Sequence, residues 1–302
     1  MGIIHKEKTM REYVILTDSM SDTPKYIREK YDIGYVKARV SFDGKDIPAS
    51  TDWEHISAKD FYDTMRRGTR IVTSQVPSEE FLRVYKECAA AGKDVLYIAC
   101  SSGLSGSINA ATAMAKEFVE QHPEMKIVCV DALISCKGQM MVTLKAAELR
   151  AQGKSIDEVA AYIEANRYKF HQFGTVENLE YLRRAGRVTA TAAFFGNIFG
   201  VKPIILSDEL GRNNAVKKVK GRKSSLIEIV NMMKQIPIDP ENKTIWVGHA
   251  DCIEDAEFIK DLLIKEMPGV SVEIDVIGPQ IGASCGPGMM GIYMLSTESR
   301  IK

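Results

Sequence analysis

The 302-residue sequence contains little histidine and no excess of charge of either sign. Its five histidines offer few candidates for a general base, and its 40 basic residues balance 40 acidic residues. A formal net charge of zero provides no overall field that would attract a polyanion. A nucleic-acid-binding protein would therefore need a local basic patch, and we do not expect nucleic acid as a partner.

Long apolar runs and closely paired cysteines are also missing. No run reaches the about 18 apolar residues that a membrane helix requires, and the first residues lack the apolar core of a signal peptide. The six cysteines include no Cys-x-x-Cys pair and mostly lie in apolar, strand-like segments. This usage predicts reduced, packed thiols in a cytoplasmic protein, with no metal site, no cofactor and no membrane insertion.

Strand and helix patterns alternate up to about residue 168, after a tail that we expect at residues 1–12. Apolar runs such as YVILTD (13–18) and DVLYIAC (94–100) are each followed by a helical stretch. Alternation of this kind predicts an α/β domain whose parallel sheet is covered by helices on both faces. We assign residues 13–168 to this domain, because the length of the chain favours two domains.

From residue 169 to residue 302 the pattern instead groups helices with hairpin strands. The stretch KPIILSDELGRNNAVKKVK predicts a hairpin turned by Gly211, and TAAFFGNIFG (191–200) predicts an apolar helix rich in small residues. We therefore expect an α+β domain with a mixed sheet. No flexible linker separates the two parts, so we expect the domains to be closely docked.

Four loops rich in hydroxyls or glycine follow predicted strands. They are TDSMSD (17–22), TSQVPS (73–78), SSGLSG (101–106) and IGPQIGASCGPG (277–288). In open parallel sheets, ligands bind outside the carboxyl ends of the strands, so three of these loops are expected to meet at one crevice. The candidate ligand-binding side chains in these loops are Thr73, Ser74, Ser101, Ser102 and Ser284.

The serines of SSGLSG have more than one interpretation. Their spacing differs from the Gly-x-Ser-x-Gly of a nucleophile elbow, and the chain contains no Gly-Lys-Ser/Thr phosphate loop. Hydroxyls and free backbone N–H groups at a helix start can bind an anion, although a single serine there is more simply a helix N-cap. A self-sufficient serine hydrolase or small-molecule kinase is the alternative that remains open.

Two further segments have unusual compositions. In the first, residues 191–200, large apolar residues are interleaved with alanine and glycine. This pattern is typical of close helix packing or of the lining of a narrow tunnel. The large apolar residues are Phe194, Phe195, Ile198 and Phe199. The stretch VKKVKGRK (216–223) is strongly basic. Such a run is usually a solvated face, but it could also dock an acidic partner.

Five of these segments, in this order, resemble the DegV family of bacterial fatty-acid-binding proteins over roughly residues 13–296. The stretches that carry the resemblance are ILTDSMSD, TSQVPS, SSGLSGSINAA, LEYLRRAGRV and GNIFGVKPI. The resemblance implies that the first domain shares its fold with dihydroxyacetone kinase subunits. It also implies a long-chain fatty acid in a tunnel between the domains, with its carboxylate held by Thr73 and the Ser101–Ser102 pair.

The same resemblance implies that the protein is a non-catalytic subunit. A separate ATP-dependent fatty acid kinase subunit would phosphorylate the bound acid, docking near Lys220 and Arg222.

Three departures from the family pattern affect these expectations. Ser284 stands where the family usually has histidine, and Lys220 stands where it has arginine, so charged or bidentate contacts at these two positions are expected to be weaker. In addition, Val76 is inserted before Pro77.

Overall fold

Three β-sheets organise the chain in the computed structural model, which describes residues 11–189 and 200–300. Seven strands lie before residue 132: β1 (Tyr13–Asp18), β2 (Ile33–Val36), β3 (Arg39–Phe42), β4 (Lys45–Pro48), β5 (Val72–Ser74), β6 (Asp94–Ala99) and β7 (Ile127–Asp131). They form a parallel sheet in the order β2-β1-β6-β7 and an antiparallel sheet in the order β4-β3-β5. The predicted parallel-sheet α/β architecture is confirmed.

Helices connect and cover these strands. They are α1 (Lys25–Lys30), α2 (Ala58–Arg66), α3 (Ser78–Ala90), α4 (Ser107–Gln121), α5 (Cys136–Ala151) and α6 (Ile156–Asn166), with short 3-10 helices at Ser19–Ser21 and Arg167–Lys169. We call residues 13–166 the first lobe. The short strand β5 ends at Ser74, directly before the turn that starts α3, and this places the TSQVPS loop at one end of the lobe.

The later part of the chain, residues 170–295, forms the second lobe around a mixed sheet. Its elements are β8 (Phe170–Thr175), α7 (Leu179–Ala185), β9 (Val188–Thr189), β10 (Val201–Ser207), β11 (Asn213–Lys220), α8 (Arg222–Met233), β12 (Thr244–His249), α9 (Ile253–Glu266), β13 (Ser271–Val276), α10 (Pro279–Cys285) and β14 (Met290–Leu295). The strand order is β13-β12-β14-β8-β10-β11-β9, with β12–β13 and β11–β9 parallel and the other pairs antiparallel. The mixed sheet expected for this part is therefore present.

Helix α5 joins the two lobes, and the residues of its first half, 136–143, are all buried. It packs against β1 and β6 of the first lobe and against β8, β12 and β14 of the second. A helical segment without an exposed polar face is stable only when neighbours cover it all round, and even Lys137, Gln139 and Thr143 in this half of α5 are fully buried. One apolar core accordingly includes residues of both lobes. The division of the chain at residues 168 and 169 into two domains stays a prediction.

Helix α10 differs from the glycine-rich loop that the sequence predicted at residues 277–288. Pro279 occupies the first turn, where its missing N–H costs nothing, and the backbone N–H of Gly286 donates to the carbonyl of Gly282 at 2.7 Å. Although α10 belongs to the second lobe by sequence, it packs against α2, β3 and β5 of the first. The predicted apolar helix with Phe194, Phe195, Ile198 and Phe199 lies outside the described residues.

Candidate functional site

A cavity of about 150 Å³, which we call the polar cavity, lies between the lobes. Each of the four loops singled out in the sequence contributes at least one residue to it. Its lining consists of Met20, Thr73, Ser74, Gln75, Cys100, Leu104, Ser105, Gly106, Ser135, Leu182, Arg187, Val188, Asn213, Gln280, Ile281, Ser284 and Cys285. The structure therefore brings together Thr73, Ser74 and Ser284, which come from β5 and α10.

Hydroxyls supply most of the polar groups of this cavity. The Ser284 hydroxyl donates to the Gln280 carbonyl one turn back along α10, at a long 3.4 Å, and the Ser105 and Ser107 hydroxyls are 3.0 Å apart. Hydroxyls rotate freely and both donate and accept, so those facing the cavity can turn toward a ligand. The cavity can thus offer an oxyanion neutral donors in addition to the one cationic side chain in its lining, Arg187.

The TSQVPS loop is fixed by the residue that the family pattern lacks. Val76 is completely buried, and its backbone N–H donates to the Ser107 hydroxyl at 3.1 Å. Gly106 allows the loop to approach, because a Cβ atom at that position would collide with the Gln75 side chain. The inserted valine therefore packs into the core, while Thr73 and Ser74 still face the cavity.

Gln280 contributes an unpaired acceptor. Its Nε2 donates to the Ser74 carbonyl at 3.0 Å, while its Oε1 is buried without a hydrogen-bond partner among the described residues. Buried polar atoms normally have partners, so an orphan atom in the wall of a cavity indicates a place where a ligand or water completes the hydrogen bonding. The sequence offered one signal for Gln280, namely its position inside one of the four loops.

The thiols in the cavity wall are neutral. Burial, followed by the nearby Asp22 carboxyl, raises the pKa of Cys285 to about 12, and burial beside Asp18 raises the pKa of Cys100 well above its ordinary value. A thiol of this kind is neither a nucleophile nor an anionic ligand at neutral pH. Both cysteines therefore act as small apolar groups in the wall.

An apolar cavity of about 40 Å³ continues from the polar cavity. The two share Ser135, Leu182, Val188, Asn213, Ile281 and Cys285, so they adjoin each other, and together we call them the composite cavity. The remaining lining of the apolar cavity is Cys136, Gln172, Phe173, Gly174, Val176, Ile205, Met289 and Tyr293. The composite space has hydroxyls at one end and mostly aliphatic and aromatic side chains at the other.

Ser101 and Ser102 are not among the residues that line these cavities. Ser101 is fully buried, and its hydroxyl donates to the Gly211 carbonyl in the turn between β10 and β11 at 2.8 Å. Ser102 is exposed, and its backbone N–H donates to the Asp131 carboxylate at 3.2 Å. A direct contact of either serine with a ligand stays a prediction.

The basic segment is partly neutralised by its own neighbours. Arg222 pairs with Asp255 at 2.8 Å, whereas Lys220 is exposed at the end of β11. Lys217 in the same segment pairs with Glu228 at 2.8 Å. Lys220 is therefore the more accessible of the two predicted docking residues, and a role of either in partner binding stays a prediction.

The polar cavity lacks the partners that would activate a serine. Of the described histidines, which are His55, His122, His171 and His249, none lines the cavity, and no described carboxylate does so. A serine without a base is a poor nucleophile.

Arg187 is a cavity residue that the sequence analysis did not single out. It lies in the stretch LEYLRRAGRV and lines the cavity, and its Nε donates to the Leu104 carbonyl at 3.1 Å.

Two further absences apply to residues 11–189 and 200–300. No helix there combines the length and the apolar character needed to cross a bilayer. Within the same ranges, no group of three His, Cys, Asp or Glu side chains is arranged to hold a metal ion. The composite cavity between the lobes is therefore the candidate site.

Known proteins match this chain along nearly its whole length. A family model described as an uncharacterised protein of the DegV family matches residues 12–297. A DegV domain-containing protein of Clostridium perfringens is 34% identical over 286 residues, which cover 95% of this chain and 98% of that protein. Both similarities span the two lobes and the four loops.

Solved structures show the same fold. A fatty-acid-binding DegV family protein from Thermus thermophilus has a TM-score of 0.83 and 28% identity, with 95% of this chain and 100% of that chain covered. DegV of Bacillus subtilis, a fatty acid binding protein, has a TM-score of 0.80 and 27% identity, with the same coverage of 95% and 100%. On the family model and the Clostridium relative, the chain belongs to the DegV family.

Proposed function

We propose that this protein binds a long-chain fatty acid between its lobes and presents the carboxylate to a separate ATP-dependent kinase subunit. The observation that carries the proposal is the composite cavity, whose hydroxyl-lined end continues into an apolar end. The carboxylate would lie at Thr73, Ser74 and Ser284, with the acyl chain directed toward Phe173 and Val176. The relatives described as fatty-acid-binding proteins support this assignment.

The two ends of the cavity contribute differently to binding. Burial of an acyl chain of roughly 16 carbons at ~0.8 kcal/mol per methylene offers on the order of 12 kcal/mol before any costs. A hydrogen bond to a charged head group adds only about 1.5 to 3 kcal/mol. The apolar end therefore supplies most of the affinity, and the hydroxyls orient the carboxylate.

The apolar end must widen when a long chain enters. A cavity of about 40 Å³ has room for a few water molecules and is far too small for an extended acyl chain. Met289, in its wall, has an unbranched and flexible side chain that can move aside at moderate cost. We expect part of the gross binding energy to be spent on this rearrangement.

Neutral donors suit a carboxylate that has to react. In acyl phosphate formation, a carboxylate oxygen attacks the γ-phosphorus of ATP, a new P–O bond forms, and the bond to the leaving ADP breaks. A strong salt bridge would hold the attacking oxygen and lower its nucleophilicity, because hydrogen bonds between charged groups are about twice as strong as neutral ones. Thr73 and Ser284 can position the oxygens while leaving one of them free to react.

Lipid binding is tested by titrating palmitate into delipidated protein. Thr73→Val removes a hydroxyl at nearly constant volume, and we expect it to weaken binding by roughly 10-fold, the loss of one hydrogen bond to a charged group. Ser224→Ala, which removes an exposed hydroxyl at the start of α8, is the matched control and should leave the affinity unchanged. Failure of the unmodified protein to bind palmitate would refute the proposal.

The apolar end is tested with Gly174→Val. A Cβ atom added at Gly174 would have its nearest neighbour at 3.5 Å, so the larger side chain fits the β8 backbone while reducing the space beside Met289. We expect the preference to shift toward shorter acyl chains, with palmitate weakened more than decanoate. An equal effect on both acids would show that the chain lies elsewhere.

Presentation to a kinase is tested separately. The protein loaded with palmitate is mixed with an ATP-dependent fatty acid kinase subunit, and acyl phosphate is measured. We expect product only when both proteins are present, with Lys220→Ala reducing the rate while palmitate affinity stays the same. Acyl phosphate formation by this chain alone would contradict the assignment of a non-catalytic subunit.

A further inference from the structure

A cavity of about 440 Å³, which we call the rear cavity, lies along the second half of α5. Helix α5 lines it with Met141, Leu144, Lys145 and Glu148, and both lobes complete its walls. The composite cavity lies near the other end of the same helix, at Cys136, and no described residue lines both spaces. At a rise of about 1.5 Å per residue, Glu148 is about 18 Å along the helix from Cys136. The rear cavity is therefore separate from the proposed lipid site.

The size of the rear cavity is typical of a binding site for a small organic molecule. Such sites usually enclose roughly 300 to 1,000 Å³. The polar cavity, by comparison, has a volume of only about 150 Å³. The rear cavity can thus hold a small ligand without the widening that an acyl chain requires at the apolar end of the composite cavity.

Aromatic side chains from four separate parts of the chain line the rear cavity. They are Tyr31 directly after α1, Tyr162 of α6, Phe170 of β8 and Trp246 of β12. The face of an aromatic ring attracts cations, and aromatic walls are a common means of recognising quaternary ammonium groups. The Tyr31 ring already has the Lys30 ammonium 5.1 Å from its centroid, whereas no such contact with a described cation is present at the other three rings. These walls favour an organic cation over a bare metal ion.

The rear cavity is also acidic. Its lining contains the carboxylates of Glu148, Asp239 and Glu241 and one ammonium group, that of Lys145. Lys145 pairs with Glu148 at 3.3 Å, which neutralises one of the three carboxylates. Asp239 accepts the backbone N–H of Glu241 at 2.9 Å, but neither side chain forms an ion pair within the described residues. Two negative charges in the wall thus have no counterion there, and they disfavour a second fatty acid carboxylate.

Trp246 adds a donor without an acceptor. This residue is 8% exposed, and its indole N–H donates to no acceptor among the described residues. A buried indole N–H usually has a hydrogen-bond partner. An unpaired donor in the wall of a cavity therefore indicates a ligand that carries an acceptor oxygen as well as a positive charge.

We propose that the rear cavity binds a small organic cation, in which a quaternary ammonium group is linked to a hydroxyl or carbonyl oxygen. The aromatic walls contact the ammonium methyl groups, Asp239 and Glu241 balance the charge, and Trp246 donates to the oxygen. The inference does not rest on fatty acid binding, because the rear cavity and the composite cavity have no lining residue in common.

The central comparison is between choline and its neutral analogue, in which a carbon atom replaces the nitrogen. The two molecules have nearly the same shape, and only choline is charged. Tetramethylammonium carries the charge without the oxygen. The variants are Glu241→Gln, Trp246→Phe and the control Glu257→Gln, which removes an exposed carboxylate of α9 outside the rear cavity. Affinities are measured by titration calorimetry at low and high salt, with and without palmitate.

We expect choline to bind roughly 10-fold more tightly than its neutral analogue, because cation–π attraction acts only on the charged molecule. Glu241→Gln should weaken choline by about 2- to 5-fold, as expected for the loss of one exposed charge, and leave the analogue unchanged. Trp246→Phe should weaken choline more than tetramethylammonium, because only choline has an oxygen for the indole N–H. Higher salt should weaken choline alone, and Glu257→Gln should match the unmodified protein.

The inference would be overturned if choline failed to bind, if it bound no better than its neutral analogue, or if Glu241→Gln matched Glu257→Gln. Displacement of choline by palmitate would place the cation in the composite cavity and would also overturn it. Should Trp246→Phe not fold, the ligand comparison in the unmodified protein and in Glu241→Gln still decides the question. Failure to bind palmitate would refute the proposed function without changing these results.

Discussion

At the scale of single residues, Ser284 gives the polar cavity a neutral hydroxyl at a position where a histidine would titrate. The family resemblance of the sequence implies histidine at this position, and a protonated imidazole would give the carboxylate a charged donor. A serine hydroxyl stays neutral across the physiological range. The protein as it stands should therefore hold its ligand with little contribution from pH at this position.

Ser284→His should make fatty acid affinity depend on pH. Histidine ordinarily titrates near pH 6.5, so the imidazolium is present below this value and attracts the carboxylate, and the attraction is lost as the pH rises. We expect palmitate to bind the variant several-fold more tightly at pH 6 than at pH 8, relative to Ser284→Ala at the same two values. Parallel pH profiles for the two variants would contradict this expectation.

Asp22 is a second residue at which pH matters, because its carboxyl group is buried and has a raised pKa. Its carboxylate is buried between the lobes, where it accepts from the Gly278 backbone N–H at 3.0 Å and from the Cys136 thiol at 3.0 Å. The Lys137 ammonium donates to the backbone carbonyl of Asp22 and pairs with Asp275. Burial raises the pKa of Asp22 to about 7, although the Lys137 charge opposes this shift.

Asp22→Asn should therefore change how stability depends on pH. The folded state favours the protonated acid, so its contribution is fully present below the ordinary pKa of 3.8 and is lost as the pH rises toward about 7. Asparagine stays neutral and tolerates the left-handed backbone at this position, where φ is 47°.

Urea unfolding between pH 4 and pH 8 measures the difference between the two proteins. We expect the free energy of unfolding of the unmodified protein to fall relative to Asp22→Asn by on the order of 4 kcal/mol across this range, and to level off above pH 7. A difference that stays constant with pH would show that Asp22 does not titrate as described.

At the scale of elements, the SSGLSG loop and the hairpin of β10 and β11 hold the lobes together. Gly211 lies in the hairpin turn with a φ of 68°, and a Cβ atom there would collide with the Ser101 hydroxyl and the Leu133 backbone. The close approach allows the hydroxyl of Ser101 to donate across the lobe boundary at 2.8 Å. The loop therefore has a structural function besides any contact with a ligand.

The adjacent serines permit a matched comparison. Ser101→Ala leaves the buried Gly211 carbonyl without its donor, and we expect a loss of about 1 to 3 kcal/mol in the free energy of unfolding. Ser102→Ala removes an exposed side chain and should change stability by less than about 0.5 kcal/mol. Denaturant unfolding and palmitate titration of both variants separate stability from binding, and a stable Ser101→Ala protein that fails to bind would favour a ligand contact instead.

Sequence patterns predicted the strands and most helices because buried strands and amphipathic helices leave periodic signals. The runs YVILTD and DVLYIAC form β1 and β6, and the hairpin turned by Gly211 is present. Helix α10 was missed, since a short stretch of glycine, proline and serine has no apolar periodicity, and its helical state depends on packing against β5 and α7.

The site was predicted less completely than the fold. Loop positions at strand ends indicated Thr73, Ser74 and Ser284, which share a cavity. The orientation of Ser101 depends on the Gly211 turn, more than one hundred residues away, and no local pattern encodes that contact. Arg187 of the second lobe likewise reaches the polar cavity only because the two lobes are docked.

At the scale of the whole molecule, docking through α5 makes the lobes one cooperative unit. We expect a single calorimetric transition, with agreement between calorimetric and van't Hoff enthalpies. Palmitate at 100 times its dissociation constant should stabilise the folded state by about 2.7 kcal/mol, because the proposed binding site exists only between folded lobes. The transition should move to higher temperature as one peak, and a ligand-induced separation into two peaks would contradict this description.

The position of α5 also limits how the gene can be divided. A fragment ending at residue 168 would keep α5 but expose the side that normally meets β8, β12 and β14. The complementary fragment would expose the apolar face of those strands to water and would be prone to aggregate in isolation. Co-expression of the two pieces, in which each shields the other from water, is thus the natural arrangement for any split-protein reporter built from this chain.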